Sequence, residues 1–244
     1  MSDTKASYDT WHARQILVEA AAKPNLYPWH ETVARRLPQL TGKNVLEIGC
    51  GRGDFAIWLT QKFPTAAITA VDFSGKAIAI ANARSREMKA GVVFQVEDAE
   101  NLQLPDGAFD QVISCECLEH VPHPAKMARE IWRVLKTGGR FILTTENYFN
   151  GMMLAWIISW WRNRAFDSGS GVQPHENFFL FWRVKRILER AGLTVEHMES
   201  NYFQWLLLPR CAPHRLCTKD FASPTLKRLF RPFGRHFTFE GTRV

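Results

Sequence analysis

The chain has 244 residues, of which 46% are hydrophobic and 23% are charged. This composition excludes wholesale disorder, and the length suffices for one large domain with a packed core. Residues 1–10 are polar, and the longest apolar block, residues 152–161, is far shorter than the roughly 20 residues of a membrane-spanning helix. We therefore expect a single cytoplasmic domain over residues 1–244.

The net charge indicates which partners the protein could bind, and the cysteine spacing indicates the redox state of its thiols. The formal net charge is +7 and the pI is about 9.3, which permits nucleic acid, an anionic membrane surface or acidic substrates as partners. The five cysteines lack the spacing of a disulfide framework, so we expect reduced thiols. Cys211, His214 and Cys217 lack the second pair that a four-ligand metal site requires, so we do not favour a metal there.

A glycine-rich stretch after a short apolar run carries the strongest signal. Residues 44–48 have the apolar character of a buried parallel strand, and three glycines follow at alternate positions of residues 49–53. A segment with helical periodicity then begins. A strand, a glycine turn and a helix in this order bring backbone N–H groups close to a ligand, because glycine has no Cβ. The next apolar run, residues 66–71, is followed by Asp72, and an acid at this place can accept both hydroxyls of a ribose.

At these residues the chain resembles the class I S-adenosylmethionine-dependent methyltransferases. The segment Glu47-Ile-Gly-Cys-Gly-Arg-Gly53 matches their E/D-x-G-x-G-x-G signature, and Val71-Asp72-Phe73-Ser74 resembles their ribose-binding motif. Further similar segments are residues 97–100, 109–120 and 133–140. The resemblance implies an α/β fold: a Rossmann-like, doubly wound, mainly parallel seven-stranded sheet with helices on both faces.

The alternation of apolar runs and helical patterns independently favours a parallel sheet. Strands are predicted near residues 44–48, 66–71, 92–96, 109–115, 140–145, 194–200 and 237–244, and helices near residues 54–63, 75–89, 123–136 and 179–191. Strands that alternate with helices form right-handed βαβ units, with ligands at the carboxyl ends of the strands. No regular structure is predicted for residues 202–235.

Residues 1–40 precede the cofactor-binding core, residues 44–146, and contain two helical patterns, near residues 10–22 and 29–37. The resemblance implies that helices here form a cover over the cofactor. Aromatic residues in this part are either lid residues or ordinary packing residues, and the sequence leaves both interpretations open: Tyr8, Trp11, Trp29 and His30.

Residues 147–178 interrupt the alternation. An apolar block with three tryptophans is followed there by a basic, glycine-rich stretch. A helix that is apolar on every side must be buried against protein, acceptor or lipid. We predict a mobile lid over the acceptor pocket, and residues 179–244 then complete the domain with a basic tail.

The resemblance also implies S-adenosylmethionine as the cofactor and assigns its binding residues by position. The glycine turn is expected against the aminoacyl part, with Glu47 near its ammonium group. Asp72 is expected to hold the ribose hydroxyls, Phe73 to lie against the adenine, and Asp98 to accept from the adenine amino group unless it only caps a helix. The full expected set is Glu47, Gly49, Cys50, Gly51, Gly53, Asp72, Phe73, Asp98, Ala99 and Cys115.

Residues 114–121 resemble the ubiquinone-biosynthesis O-methyltransferases and their small-molecule relatives. In some of these, acids and a histidine bind a divalent cation here, and Glu116, Glu119 and His120 occupy the matching positions. Metal-free relatives share this sequence, and we favour that interpretation, in which Glu119 and His120 shape the loop. For catalysis we expect His120 as the first candidate for a general base and His175 as the second, with Glu116 beside them.

These features predict S-adenosylmethionine-dependent methyl transfer to a small, lipophilic acceptor, on oxygen, by in-line displacement. Residues 114–121 lack the Asn/Asp-Pro-Pro-aromatic sequence of enzymes that methylate amino groups of DNA. Two alternatives remain: a tRNA or protein methyltransferase that uses the basic C-terminal region, and a non-catalytic cofactor-binding partner. The basic run at residues 227–235 also allows peripheral contact with a membrane, whereas nucleic acid is the less favoured partner.

Overall fold

The computed structural model describes residues 7–10, 25–147, 157, 160–161, 175–177, 179–203 and 223–244. Its seven strands are β1 (Asn44–Ile48), β2 (Ala67–Asp72), β3 (Val92–Val96), β4 (Phe109–Cys115), β5 (Leu135–Glu146), β6 (Leu193–Phe203) and β7 (Gly234–Arg243). The α-helices in the described part are α1 (Pro28–Arg36), α2 (Asp54–Lys62), α3 (Gly75–Glu87), α4 (Pro124–Val134), α5 (Phe181–Arg190) and α6 (Pro224–Phe230). Short 3₁₀ helices cover Leu118–His120 and Arg231–Phe233, and residues 7–10 are helical.

The strands form one sheet in the order β3-β2-β1-β4-β5-β7-β6. Strands β1 to β5 are parallel, whereas β7 is antiparallel to both β5 and β6. The chain moves outward from β1 to β3 and then returns to pair β4 with the other side of β1. Ligands bind at the carboxyl ends of such sheets, where the strand order reverses. The predicted Rossmann-like, mainly parallel sheet is confirmed, and this reversal lies between β1 and β4.

Both faces of the sheet are covered. Alternate residues of a strand point to opposite faces, and the central strands supply two separate hydrophobic clusters. Val45 and Ile113 belong to the cluster that packs with α1, α2 and α3. Leu46 and Val112 belong to the cluster that packs with α4 and α5. The strands are therefore buried on both sides, as their near-continuous apolar sequences predict.

Most element boundaries in the core agree with the sequence, and the main difference is at β5. Strands β1, β3 and β4 have the predicted bounds, but β5 begins at Leu135 rather than near residue 140. Leu135 pairs with Phe109, and the register then shifts before the next pairs form. The segment predicted as the end of a helix is therefore an irregular start of the strand.

Helix α6 lies where no regular structure was predicted. Ser223 accepts a hydrogen bond from the Leu226 N–H, and Pro224 occupies the first helical turn, which together form a common helix start. This signal is present in the sequence. A seven-residue helix, however, is too short for apolar periodicity to reveal it.

The described N-terminal residues are attached to the domain by specific contacts. Arg36 of α1 forms ion pairs with Glu240 on β7 and with Glu199 on β6, the latter at 2.6 Å. His30 is buried and stacks on Phe55 of α2, with ring centroids 4.8 Å apart. The structure therefore supports the packing interpretation for His30. Trp11 lies outside the described residues.

Little of the predicted lid, residues 147–178, falls within the described residues. Ile157, Trp160 and Trp161 are helical, and 42%, 70% and 78% of their respective surfaces are exposed. These three side chains are therefore available to an acceptor or another surface. The Cys211, His214 and Cys217 group lies outside the described residues. No helix in the described ranges combines the length and apolar character needed to cross a membrane.

Candidate active site

The glycine turn between β1 and α2 has a backbone shape that other residues adopt poorly. Gly49, Gly51 and Gly53 have φ angles of 77°, 52° and 81°. A Cβ at Gly49 would lie 2.6 Å from Cβ and Sγ of Cys117, and one at Gly53 would lie 2.6 Å from the Phe94 ring. Both conformation and space therefore require glycine.

The N–H groups of this turn are used within the protein. Those of Gly49 and Cys50 donate to the Val71 carbonyl, at 2.8 and 3.0 Å. The Gly51 N–H donates to Asp72 Oδ2 at 2.8 Å, and the Gly53 N–H donates to the Cys50 carbonyl at 2.9 Å. The turn thus differs from the predicted row of N–H groups facing a ligand. Its three glycines instead leave space for a ligand to approach the backbone closely.

Asp72 connects the turn to the start of α3. In addition to Gly51, its carboxylate accepts the Ser74 N–H, on Oδ1 at 2.9 Å. Ser74 in turn caps α3 and donates through its hydroxyl to Asp9 of the N-terminal segment. The acid expected at the ribose is therefore held in a fixed position, half-buried at the end of β2.

Glu47 provides a test of whether the site suits the cofactor. Only 2% of its surface is exposed, and its Oε2 atom is buried without a hydrogen-bond partner among the described residues. Burial, and secondarily the neighbouring Asp54 and Asp72, raises the pKa of Glu47 to about 8. A buried acceptor without a donor is costly. The ammonium group of S-adenosylmethionine would supply that donor, so the residues fit this cofactor.

The remaining expected cofactor residues lie along the same edge of the sheet. Phe73, Asp98 and Ala99 are half-buried beyond β2 and β3, and Asp98 Oδ1 accepts the Glu100 N–H at 2.9 Å. Cys50 and Cys115 are buried, and burial raises the pKa of each thiol well above its usual value. These two thiols are therefore held in the neutral form.

The ring of His120 is held by a backbone carbonyl group. Its Nδ1 is 3.0 Å from the backbone carbonyl oxygen of His175. A carbonyl only accepts hydrogen bonds, so the neutral ring carries its proton on Nδ1 and leaves Nε2 as an acceptor. The Tyr8 hydroxyl lies 3.5 and 3.4 Å from the carbonyl oxygens of His120 and His175. The N-terminal segment therefore contacts both predicted base residues.

Glu119 is a buried acid next to the ring of His120. Its side chain is 1% exposed, Oε2 accepts from the Thr145 hydroxyl at 2.8 Å, and Oε1 is 4.0 Å from His120 Nε2. Burial, and secondarily Glu116, raises the pKa of Glu119 to about 8.

The Nε2 atom of the His175 ring is buried without a hydrogen-bond partner among the described residues.

The trio of Glu116, Glu119 and His120, which the resemblance offered as a possible metal site, is not the group that the structure gathers. Within the described residues, the potential ligand atoms that lie mutually within 4.8 Å belong to Glu116, Glu146 and His236. Glu119 is instead bonded to Thr145, and His120 to a carbonyl. The other group forms because β7 pairs with β5 and brings His236 opposite Glu146.

Glu146 and His236 are therefore the site residues that sequence reasoning missed. Both lie in strand segments and have no motif around them. Their proximity depends on the antiparallel register between β5 and β7, in which the two residues are direct partners. Sequence spacing carries no signal for such a pairing over this distance along the chain.

Comparison with known proteins agrees with this geometry. Residues 46–143 match a family described as a methyltransferase domain. A ubiquinone biosynthesis O-methyltransferase of Xanthomonas euvesicatoria pv. vesicatoria is 36% identical over 176 residues, which cover 71% of this chain and 72% of that protein. The phthiotriol/phenolphthiotriol dimycocerosates methyltransferase of Mycobacterium tuberculosis is 35% identical over 138 residues, which cover 55% of this chain and 50% of that protein. The chain thus spans about half the length of this mycobacterial relative.

The fold has counterparts among solved structures. A protein of Thermotoga maritima described as a possible histamine N-methyltransferase superposes with a TM-score of 0.67, covering 99% of this chain and all of that one, at 20% identity. A likeness at this identity shows the fold alone. With the sequence relatives, the glycine turn and the acids near the carboxyl ends of β1 and β2, it establishes that the chain belongs to the class I S-adenosylmethionine-dependent methyltransferases.

Proposed function

We propose that the protein transfers the methyl group of S-adenosylmethionine to an oxygen atom of a small, lipophilic acceptor. The observation that best supports oxygen is the fixed tautomer of His120. An alcohol, phenol or acid must lose its proton to attack, and His120 Nε2 presents a proton acceptor at the carboxyl edge of β4. The related ubiquinone biosynthesis O-methyltransferase is also named for transfer to oxygen.

The cofactor-side residues have binding roles in this proposal. S-adenosylmethionine, when bound, supplies a methyl group on a sulfonium, which an acceptor displaces in line. Glu47 accepts from the ammonium group, Asp72 from the ribose hydroxyls and Asp98 from the adenine amino group. The glycine turn permits close approach at Gly49, Gly51 and Gly53, because these residues carry no side chain.

The acceptor-side residues move and stabilise a proton. His120 Nε2 removes it from the acceptor oxygen, and the His175 carbonyl holds Nδ1 in place meanwhile. Once the ring is positively charged, its charge lowers the pKa of Glu119, 4.0 Å away, and the ionised carboxylate stabilises the imidazolium. The buried position of Glu119 strengthens this electrostatic interaction, because the surrounding dielectric is low.

The lipophilic character of the acceptor is inferred from the segment after β5. Exposed apolar side chains there, Ile157, Trp160 and Trp161, offer surface that an apolar molecule would bury. The segment follows Glu146 in the chain, and Glu146 ends its strand at the ligand-binding edge. An acceptor with an apolar body and one reactive hydroxyl would use both features.

The test is a screen of acceptors with purified protein, in which S-adenosylhomocysteine release is measured with phenols, fatty acids, amines and tRNA. We expect turnover with the oxygen nucleophiles. His120→Gln should lower kcat by about 10²–10⁴-fold, because it removes the base, and should leave cofactor affinity unchanged. His197→Gln, an exposed histidine of β6, is the control. Methylation of amines or tRNA alone would overturn the proposal, and no turnover with any acceptor would favour a non-catalytic cofactor-binding partner.

A further inference from the structure

Three potential metal ligands meet at the edge of β4, β5 and β7. Glu116 follows β4, Glu146 ends β5, and His236 lies on β7 directly opposite Glu146. Their ligand atoms all lie within 4.8 Å of one another, and His236 Nδ1 is 2.9 Å from Glu116 Oε2. Metal–ligand bonds of about 2.0–2.2 Å place neighbouring ligand atoms about 3–4 Å apart. Small side-chain movements would therefore close the group around an ion.

A second observation concerns two carboxyl oxygens at this group. Oε1 of Glu116 and Oε1 of Glu119 are both buried without a hydrogen-bond partner among the described residues. The Glu119 side chain is 1% exposed, and its carboxyl group contacts that of Glu116. Carboxylate oxygens only accept hydrogen bonds. Two such oxygens in contact therefore repel each other unless a cation or a proton lies between them.

Arg235 is the described cation beside this group. Its Nη2 atom lies 3.4 Å from Glu146 Oε1, which is a long contact for an arginine–carboxylate pair. It pairs with Glu146, whereas Oε1 of Glu116 and Oε1 of Glu119 have no hydrogen-bond partner among the described residues. The ion pair between Arg235 and Glu146 therefore does not account for these two oxygens.

We propose that Glu116, Glu146 and His236 bind a first-row divalent cation. Two carboxylates and one imidazole are a mixed set of ligands that suits Mn²⁺, Fe²⁺ or Zn²⁺ better than the all-oxygen sites of Mg²⁺ and Ca²⁺. Three protein ligands leave coordination positions open for water or another oxygen. That an acceptor oxygen takes one of these positions rests on the proposed function, whereas binding of the ion does not.

The site is tested by direct ion binding to the full chain. Protein freed of metal by chelation is titrated with Mn²⁺, and the free ion is measured by electron paramagnetic resonance. We expect saturable binding of one ion per chain and a higher unfolding temperature in its presence. Glu146→Gln and His236→Gln should each weaken Mn²⁺ binding by roughly tenfold or more, because each removes a ligand.

Matched controls separate ligand loss from misfolding. Glu196→Gln and His197→Gln change the same residue types on β6, away from the group, and should leave Mn²⁺ binding unchanged. Cofactor affinity and circular dichroism verify the fold of each variant, and Glu146→Asp, which keeps a carboxylate, should retain measurable binding. Absence of saturable binding of both Mn²⁺ and Zn²⁺ at millimolar concentration overturns the site, as do Gln variants that bind like the wild type. Because the ion is measured without acceptor, these results are independent of whether methyl transfer to oxygen is observed.

Discussion

Among single residues, Asp72 both organises the glycine turn and faces the expected ribose position. It accepts one N–H from Gly51 on Oδ2 and one from Ser74 on Oδ1. A carboxylate oxygen has two acceptor positions, so each oxygen can accept one further hydroxyl. Removing the whole side chain would therefore disturb the turn as well as the ligand contacts, whereas asparagine keeps the size of the side chain and one acceptor oxygen but places its NH2 group against one of the two N–H groups.

Asp72→Asn should weaken S-adenosylmethionine binding by about 1.5–3 kcal/mol, roughly ten- to a hundredfold, because hydrogen bonds to a charged acceptor are lost. Isothermal titration calorimetry measures this. Asp106→Asn, at an exposed acid paired with Arg133, serves as the control. An unchanged dissociation constant in a folded Asp72→Asn protein would contradict the ribose assignment.

Glu47 makes cofactor binding depend on pH in a direction that the structure defines. Its pKa is about 8 in the free protein, chiefly because it is buried. Binding an ammonium group favours the ionised carboxylate, so the pKa must fall on binding and a proton is released. Affinity should therefore rise as the pH increases from 6 towards 8, by at most about tenfold per pH unit.

The measurement is calorimetry between pH 6 and 7.5 in buffers with different ionisation enthalpies, which reports the protons released. Glu47→Gln should remove most of this release, and Glu87→Gln, on the exposed face of α3, should not. The folding stability of the protein without ligand should change with pH in the opposite direction to the cofactor affinity. Because folding raises the pKa of Glu47, this residue stabilises the folded protein at low pH, and that contribution is lost as the pH rises through about 8. A wild type that releases no proton on binding would refute the ammonium contact.

At the scale of elements, the glycine turn owes its geometry to its neighbours. Gly49→Ala should destabilise the fold by about 1–3 kcal/mol and impair cofactor binding, because φ is positive and the new Cβ would overlap Cys117. Urea denaturation measures the change.

Gly75→Ala is the matched control for this prediction. Gly75 is the first residue of α3, and an added Cβ there meets no atom within 4 Å. Replacing a helical glycine by alanine in open space should stabilise the protein by about 0.4–1 kcal/mol. If both variants lose the same stability, the contact with Cys117 does not explain the requirement for glycine at residue 49.

The elements that sequence predicts well are those with local signals. β1, with its apolar run before a glycine turn, has the predicted bounds, and so does the buried β4. The start of β5 was missed because pairing of Leu135 with Phe109 is a long-range contact. Glu47 in β1 and Asp72 at the end of β2 could be placed from spacing alone. The hydrogen bonds from the turn's N–H groups to the Val71 carbonyl could not be predicted, because they depend on how two strands approach each other.

At the scale of the whole molecule, distant parts of the chain converge on one edge of the sheet. Tyr8 reaches the carbonyls of His120 and His175, and Asp9 pairs with Ser74 beside Asp72. The described part of the N-terminal segment thus contacts both the cofactor side and the acceptor side. Sequence patterns predicted a cover from these residues but gave no basis for its individual contacts.

The segment after β5 leads to the last prediction. Trp160 and Trp161 have 70% and 78% of their surfaces exposed, so replacing them should have little effect on stability. If they cover an apolar acceptor, each CH₂ added to the acceptor and buried should raise kcat/KM roughly fourfold, which corresponds to about 0.8 kcal/mol. The Trp160→Ala/Trp161→Ala double variant should flatten this slope while cofactor affinity stays unchanged.

The measurement is a series of acceptors that differ only in alkyl length, assayed with wild type and double variant. Trp58→Ala, at a partly buried tryptophan of α2 that packs on the core, is the contrasting control. It should lower the unfolding free energy through loss of packing and leave the slope unchanged. Equal slopes in the wild type and the double variant would show that these tryptophans do not contact the acceptor, whereas loss of stability in the double variant would show that they pack against the protein.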